Sequence, residues 1–176
     1  MKLNEGVEAA IHCAAALAGA DGDATLPASA LATQFGLSPS YLLKHLQALS
    51  AAGILESVPG PAGGYRLARP ADRITLFDIV VAVEGPQPGF RCMEIRRRGP
   101  APLPASAYPK PCGINAAMLR AEAAYRAALR REKLSDIVDE FVVGADPRVV
   151  ERACAFAARN QRPQKPSNNQ RGKERR

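Results

Sequence analysis

The sequence SPSYLLKHLQALSAAGILESVPGPAGGYRLAR, residues 38–69, contains the clearest structural signals of the chain. Its first half spaces Leu42, Leu46 and Leu49 so that all three lie on one side of a helix, which predicts a buried face. A Ser-Pro pair opens this helix as a capped N-terminus would, and Gly53 supplies the signal that ends it. This half therefore predicts a helix with two defined ends and one side in a core.

The second half changes its period and predicts a hairpin. Residues 54–58 and 65–69 read as two short strands, and residues 59–64 between them form a turn rich in glycine and proline. A helix with a polar outer face followed at once by a hairpin is the layout of a winged helix-turn-helix. We therefore predict a fold that is mainly α with a small β wing.

The outer face of the predicted helix carries short hydrogen-bonding side chains and a single lysine, which suit contacts to phosphates and base edges. The wing would lie beside the same DNA. We expect nine residues to contact double-stranded operator DNA: Ser38, Ser40, Tyr41, Lys44, His45 and Gln47 of the helix, and Gly63, Gly64 and Arg66 of the wing.

The formal net charge of +7 suggests nucleic acid as a partner, but its distribution qualifies this. Seven basic residues and one glutamate lie between residues 159 and 176, so this tail holds +6 and the remaining body only +1. DNA binding must therefore depend on the helix and the wing, with few phosphate contacts per subunit. Because the tail is polar, charged and contains prolines, we expect it to be disordered.

The chain of 176 residues has the length of one domain, and 47% apolar residues allow a modest core. The N-terminus mimics a short signal peptide, but Glu5, Glu8 and His12 interrupt its apolar run. No stretch approaches the length of a membrane span, so no membrane partner is expected. Four cysteines without an export signal indicate the reducing cytoplasm, where cysteines more often bind metal or sense redox state than form structural disulfides.

Further helices are expected on both sides of the central segment. Between residues 85 and 111, seven prolines interrupt the helical period and predict a long irregular loop. After it, an apolar stripe predicts one long amphipathic helix, or two in series joined near Lys133. Periodicity and capping place the additional helices at residues 3–18, 27–35, 75–83, 113–141 and 147–158.

Several motifs indicate a family. SPSYLLKHLQAL, AGILESV, GPAGGYRLARPADRITLFDIVVAVEG and CGINAAM closely resemble the IscR and NsrR (Rrf-two) family of bacterial transcriptional regulators, in collinear order. The resemblance implies a homodimer that binds DNA, with the long helix as the dimer interface, and an iron-sulfur cluster in many members. IscR-like members carry a basic residue just before the wing tip. Here Pro59 takes that place, so insertion of an arginine into the minor groove is not expected.

The resemblance also implies a set of cluster ligands. Cys92 and Cys112 flank the proline-rich loop, and Glu8 and His12 lie one turn apart on the first helix. Either pair alone is an unspecific signal. In many members the loop holds three closely spaced cysteines, whereas this chain lacks a third and resembles the redox-sensing branch of the family. That branch implies a [2Fe-2S] cluster held by Cys92 and Cys112 of one subunit and by Glu8 and His12 of the other.

Such ligation predicts how the chain would sense a signal. Histidine and carboxylate in place of thiolates raise the reduction potential, so that reduction by one electron becomes accessible. We expect either the redox state or the presence of the cluster to be the signal. A cluster shared by two chains would set the spacing of two DNA-reading helices, and so the affinity of a repressor for its operator. We expect four parts: a winged helix-turn-helix domain at 1–84, a cluster-binding loop at 85–112, dimerisation helices at 113–158 and a disordered basic tail at 159–176.

Two alternatives remain open. A thiol switch of the same fold would form a disulfide between Cys92 and Cys112, or react with a sulfur species, without metal. An enzyme is a different class, but the sequence contains no nucleophile elbow, P-loop or dinucleotide fingerprint and only two histidines. We therefore expect neither catalysis nor a small-molecule substrate. Cys13 and Cys154 are predicted to be small core residues without a role.

Overall fold

The computed structural model describes residues 3–163, and within them it contains seven α-helices and one two-stranded antiparallel sheet. The prediction of a mainly α fold with a small β wing is confirmed. No helix in this part of the chain combines the length and the apolar character needed to cross a bilayer. The elements are α1 (Glu5–Ala18), α2 (Ala28–Phe35), α3 (Pro39–Ala51), β1 (Leu55–Val58), β2 (Gly64–Leu67), α4 (Leu76–Glu84), α5 (Gly113–Arg131), α6 (Leu134–Gly144) and α7 (Pro147–Asn160).

Helix α3 is defined at both ends by the signals that predicted it. Ser38 caps the helix, because its hydroxyl accepts a hydrogen bond from the backbone N–H of Tyr41 at 3.2 Å. After the helix, Gly53 takes a φ of 67°, a left-handed conformation that favours glycine, and the chain turns into β1. The two strands pair with Glu56 opposite Arg66. The order of helix and hairpin is therefore as predicted, with small differences in the strand bounds.

One hydrophobic core holds the helices and the hairpin together. Leu42, Leu46 and Leu49 of α3 are fully buried in it, as their spacing predicted. Each such leucine contributes about 1.5–3 kcal/mol relative to an exposed position. Leu134 of α6 and Phe156 of α7 are buried in the same core. Helices α6 and α7, which the sequence assigns to dimerisation, therefore also contribute to this core.

The predicted break in the long helix lies between α5 and α6. At this point the backbone N–H of Leu76 donates to the carbonyl of Glu132, and that of Leu134 donates to the carbonyl of Ile74, each at 2.9 Å. Because these bonds tie the start of α4 to the break, α6 is directed back onto the core. Helix α4 itself begins with the predicted threonine-aspartate capping box.

Two predictions at the C-terminal end are wrong. The sequence predicts disorder from residue 159, but α7 continues to Asn160, and two backbone hydrogen bonds of 3.1 and 2.9 Å pair Arg162 with Thr25. This pairing orders residues 159–163, and the remainder of the tail lies outside the described residues. Cys154 is predicted to be a core residue, but it is exposed on α7, because Phe156 is the residue that α7 buries.

Candidate nucleic-acid interface and metal centre

The face of α3 opposite its leucines is exposed. Tyr41 is 37% exposed, and Lys44 and Gln47 are exposed on the same helix. Ser38 and Ser40, at the N-terminal end, are also exposed, and their hydroxyl oxygens lie 3.2 Å apart. These five side chains combine hydrogen-bond donors, acceptors and one cation on an open surface, which is the chemistry that phosphates and base edges require.

His45 differs from its predicted position, because its side chain is buried. It is 5% exposed, lies edge-on to Tyr41 with ring centroids 4.7 Å apart, and packs against Gly6 of α1. Burial, and then the charge of Lys44, lower the pKa of His45 from its ordinary value. The expectation that His45 faces DNA is therefore wrong. Its spacing of three residues from Leu42 placed it on the leucine stripe, and that signal outweighs its polar character.

The wing glycines serve the backbone of the hairpin. Gly63 is buried, and a side chain there would overlap the carbonyl oxygen of Val58. Gly64 is half-buried, and a side chain there would overlap the carbonyl oxygen of Leu26. Both positions need glycine so that the hairpin can close and pack. The wing is exposed at its tip, residues 59–62, and at Glu56 and Ser57 of β1.

Arg66 is held on the wing by two carboxylates. Its guanidinium lies 2.9 Å from Glu56 across the hairpin and 3.4 Å from Asp23. Arg69 lies 3.1 Å from Asp78 in the same way. The DNA contact predicted for Arg66 must therefore compete with two ion pairs that are already made.

The two loop cysteines meet at the start of α5. Cys112 immediately precedes α5, and Cys92 lies in the loop that follows α4. Their sulfur atoms and a carboxylate oxygen of Glu94 all lie within 4.8 Å of one another. The thiol of Cys92 donates to Oε1 of Glu94 at 3.7 Å. Two sulfur donors and one oxygen donor thus converge in an arrangement that can hold a metal ion or part of a cluster.

Sequence reasoning missed Glu94. Its φ of 48° is left-handed, which is unusual for a residue other than glycine, and this conformation brings its carboxylate to Cys92. The available signal was a carboxylate two residues after a candidate ligand. Residues two apart, such as Cys92 and Glu94, can bind the same metal only when the backbone between them reverses direction. No residue of this segment predicts such a reversal.

Cationic and aromatic groups connect the two ends of the loop. Arg96 donates from Nε to Glu94 at 2.9 Å and from Nη2 to the carbonyl oxygen of Lys110 at 2.9 Å. The hydroxyl of Tyr108 donates to the carbonyl oxygen of Arg96 at 2.9 Å, and Arg97 lies 3.1 Å from Glu94. These contacts bring the segments before and after the prolines together, which explains why the two cysteines meet.

The two thiols differ in acidity. The backbone N–H of Asn115, at the N-terminus of α5, lowers the pKa of Cys112 by stabilising the thiolate. The backbone N–H of Glu94 acts to lower the pKa of Cys92. Partial burial and the neighbouring thiol of Cys112 outweigh that effect, so the pKa of Cys92 is raised. Cys112 is therefore the thiol that ionises first.

Glu8 and His12 form a separate pair on α1. Oε1 of Glu8 lies 4.0 Å from Nε2 of His12, and the two side chains are 79% and 60% exposed. They border an open depression that also includes Leu3, Val7 and Ile11. Within the described residues, no metal-binding group of three contains either of them. Within one protomer, Cys92 therefore lies near Cys112 and Glu8 lies near His12, but the two pairs do not form one site.

Comparisons with known proteins identify the family. A family profile described as Rrf2, an iron-dependent transcriptional regulator, matches residues 3–140. Protein aau3 of Rhizobium meliloti is 36% identical over 137 residues, which are 78% of this chain and 82% of that protein. The regulator IscR of Cereibacter sphaeroides is 39% identical over 69 residues, which are 39% of this chain and 44% of that protein.

A solved structure extends the likeness to the fold. The global cysteine regulator CymR of B. subtilis superposes with a TM-score of 0.62 at 23% identity, covering 79% of this chain and 97% of that one. The order of helix, hairpin and following helices is therefore shared with a known regulator. On the evidence of its sequence profile, its relatives and its fold, the chain belongs to the Rrf2 family of transcriptional regulators.

Proposed function

We propose that this chain is a homodimeric, DNA-binding repressor whose affinity for its operator is set by a [2Fe-2S] cluster. Cys92 and Cys112 of one subunit would hold one side of the cluster, and Glu8 and His12 of the other subunit would hold the other side. The observation that carries this proposal is the meeting of Cys92 and Cys112 at the start of α5, while Glu8 and His12 lie exposed on a different surface.

The donor set fits such a group. Two thiolates, one imidazole and one carboxylate supply the four protein ligands that a [2Fe-2S] cluster needs, and their mixed character corresponds to a raised reduction potential. When bound, the cluster would supply one-electron redox chemistry. Arg96 and Arg97 form ion pairs with Glu94, which lies beside the cysteines. Their positive charge would offset the negative charge of the two thiolates. Glu94 is a rival ligand from the same subunit, so its role needs a direct test.

A homodimer is supported by exposed apolar side chains at the start of α5. Ile114, Met118 and Leu119 are 68%, 43% and 41% exposed, which is costly for a helix that stays in water. They follow directly on Cys112, so an interface formed by α5 would bring a second subunit close to the cysteines. Repression requires access to the chromosome, and the proposal therefore includes the cytoplasm as the site of action.

A thiol switch is the second candidate, and the proximity of the two sulfurs favours it. Cys92 and Cys112 could join in a disulfide after a small movement, because their sulfur atoms are already within 4.8 Å. The lowered pKa of Cys112 would make its thiolate the group that first attacks an external disulfide, releasing one thiol and forming a mixed disulfide. The thiol of Cys92 would then displace the second external thiol, so that the external disulfide takes up the two electrons. This alternative needs neither Glu8 nor His12.

The ligand assignment can be tested by mixing subunits. In a dimer of one E8Q/H12A subunit and one C92S/C112S subunit, ligation across the interface leaves one complete site. Ligation within each subunit leaves none. We expect reconstituted mixed dimers to regain visible absorbance, iron and sulfide, whereas each variant homodimer does not. Cys154→Ser, an exposed cysteine outside the site, is the matched control and should bind a full complement.

The remaining outcomes separate the alternatives. If the Glu94→Gln variant loses the cluster while E8Q/H12A binds it fully, the ligand is Glu94 and not Glu8 and His12. If the wild-type protein acquires no visible absorbance under anaerobic reconstitution, the cluster proposal fails. Gel shifts with oxidised, reduced and apo protein at one salt concentration then test the switch, and equal affinity in all three forms would refute it.

A further inference from the structure

The tip of the wing has a composition that allows many backbone conformations. Residues 59–64 read Pro-Gly-Pro-Ala-Gly-Gly, and glycine loses more conformational freedom on folding than any other residue. Within the tip, the backbone N–H of Gly63 donates to the carbonyl oxygen of Gly60 at 2.8 Å. A loop of this composition needs further partners if it is to present one fixed surface, because each ordered residue costs conformational entropy.

The segment that follows α7 lies against the wing. Arg162 and Thr25 pair through two backbone hydrogen bonds of 2.9 and 3.1 Å, and the next residue, Leu26, pairs in the same way with Tyr65 of β2. Arg162 is therefore held at the edge of the hydrogen-bonded layer that contains the hairpin. The family profile ends at residue 140, so Arg162 lies in a part of the chain that the profile does not cover.

Two side chains donate to the wing tip from outside the hairpin. Nη1 of Arg162 donates to the carbonyl oxygens of Pro61 at 2.7 Å and Gly63 at 3.1 Å. The hydroxyl of Thr25 donates to the carbonyl oxygen of Ala62, which lies between them, at 3.2 Å. Three successive carbonyl groups of the tip are thus bound by donors that do not belong to the wing.

The two donors are themselves held in place. Thr25 is fully buried, and Arg162 is half-buried. Gln161 donates from Nε2 to the carboxylate of Asp21 at 2.8 Å and accepts the backbone N–H of Asp21 at 3.2 Å, which fixes the residue before Arg162. Hydrogen bonds from a charged guanidinium are stronger than those between neutral groups. The conformation of the tip is therefore restrained by groups whose own positions are set by the core and by the end of α7.

We infer that Arg162 and Thr25 are positioning residues for DNA binding, which hold the wing tip in the conformation that meets the operator before DNA is bound. The apparent affinity then depends on the fraction of the free protein in which the wing is already in place. This role differs from that of a phosphate contact, because the guanidinium is directed at carbonyl groups of the protein. The inference rests on the proposed DNA-binding function and assigns a part in it to two residues outside α3 and the hairpin.

The first test examines the wing without DNA. Amide hydrogen exchange of the full-length apo protein, followed by mass spectrometry, compares the wild type with Arg162→Gln. Since the substitution keeps the backbone pairing with Thr25, we expect peptides covering residues 58–67 to exchange at least about threefold faster and α3 to exchange at the wild-type rate. Equal acceleration in the wing and α3 would indicate a general loss of stability. That result would overturn the inference, as would an unchanged wing.

The second test measures DNA binding over a range of salt concentrations. The probe is a duplex that the wild-type protein enriches from a random library. We expect Arg162→Gln to bind it about three- to tenfold more weakly, as when the wing is in place in about a third to a tenth of the molecules. The slope of log Kd against log salt should stay at the wild-type value. A slope shallower by about 0.9 would mean that Arg162 neutralises a phosphate, and would overturn the positioning role.

Arg159→Gln is the matched control for the loss of one positive charge. Arg159 is exposed near the end of α7, and its Nε donates to the carbonyl oxygen of Ala155 in the same helix at 3.1 Å. This variant should bind DNA as the wild type does. An equal loss of affinity in Arg159→Gln and Arg162→Gln would attribute the effect to net charge and overturn the inference.

Two variants of Thr25 separate its hydrogen bond from its packing. Thr25→Val removes the hydroxyl at nearly constant volume, whereas Thr25→Ser keeps the hydroxyl and removes a methyl group. We expect Thr25→Val to bind DNA about three- to tenfold more weakly and Thr25→Ser to remain close to the wild type. Equal losses in the two variants would overturn the role of the Thr25 hydroxyl.

The same measurements distinguish failure of this inference from failure of the proposed function. If the wild-type protein enriches no duplex from the library, the DNA-binding function fails and the inference fails with it. If the wild type binds selectively and Arg162→Gln and Thr25→Val bind equally well, only the positioning role is overturned.

Discussion

Gly6 of α1 and His45 of α3 are packed so closely that no side chain fits at position 6. A Cβ added to Gly6 would overlap the imidazole ring, and both residues are buried. Gly6 precedes Glu8 by two residues, so the helix that carries two proposed cluster ligands directly contacts α3. Because packed interiors transmit small displacements, a shift of α1 would be felt by the exposed surface of α3.

The close approach of these two helices predicts a large effect of one methyl group. Gly6→Ala should lower the free energy of unfolding by about 1–3 kcal/mol, because the new side chain must displace a buried ring. Urea unfolding of the apo protein measures this. Gly19→Ala is the control at the other end of α1, where the added Cβ would lie 3.7 Å from its nearest neighbour, an ordinary separation. Equal losses of stability in the two variants would contradict the packing of Gly6 against His45.

Burial of His45 predicts sensitivity to acid. The pKa of His45 in the folded state is lowered, first by burial and then by Lys44. At any pH between the folded and the unfolded pKa, the unfolded chain therefore binds more protons than the folded protein. Stability is therefore complete above the unfolded pKa of about 6.5 and decreases as pH falls below it. We expect the free energy of unfolding of the apo protein to decrease from pH 7 to pH 5. His45→Gln should remove that part of the decrease, and an unchanged pH profile would show that His45 does not cause it.

The thiols should differ in reactivity in cluster-free, reduced protein. Cys112 should react with iodoacetamide at lower pH than Cys92, since the α5 N-terminus lowers its pKa and that of Cys92 is raised. Arg96→Gln should slow the reaction at Cys112 several-fold, with Cys154 as the internal reference. Burial raises the pKa of Cys13 to about 12, so this thiol should react only in urea. Mass spectrometry of the peptides from pH 6 to 9 gives all four rates, and a faster Cys92 would refute the assignment.

Lys44 and Arg66 should contribute unequally to DNA binding. Lys44 is exposed on α3, whereas Arg66 is already paired with Glu56 and Asp23. Lys44→Gln should therefore lower the salt slope by about 0.9 for each phosphate that the lysine neutralises in the wild type, and Arg66→Gln should change it less. Fluorescence anisotropy over a range of salt concentrations provides the measurement. A larger change for Arg66 would mean that DNA displaces its carboxylate partners.

The fold was largely accessible from sequence, because local signals and long-range packing agree there. The leucine stripe and the N-cap of α3 and the glycines of the wing each act within a few residues, and each is found where expected. His45 shows the limit of residue type as a guide. A polar side chain suggested an outer face, but helical spacing from Leu42 determined its position.

Only part of the candidate site could be predicted from the sequence. Cys92 and Cys112 could be named from the family resemblance, but their proximity depends on Arg96, Lys110 and Tyr108, which no periodic pattern indicates. Glu94 depends on a single left-handed residue. The pairing of Arg162 with Thr25 joins segments far apart in the chain, and composition alone argued against any order there. Interactions made by irregular backbone are specified by tertiary partners, and a sequence read locally does not contain them.

The ion pairs that neutralise the wing have a consequence for how a regulator finds its site on a chromosome. A bacterial genome offers millions of competing positions, and every cation that grips phosphate indiscriminately increases the time spent on them. With Arg66 and Arg69 compensated, the reading surface would discriminate mainly through base edges touched by α3. Removing the carboxylates of Glu56 and Asp78 would then raise the affinity for DNA of any sequence. The difference in affinity between the operator and the rest of the genome would become smaller.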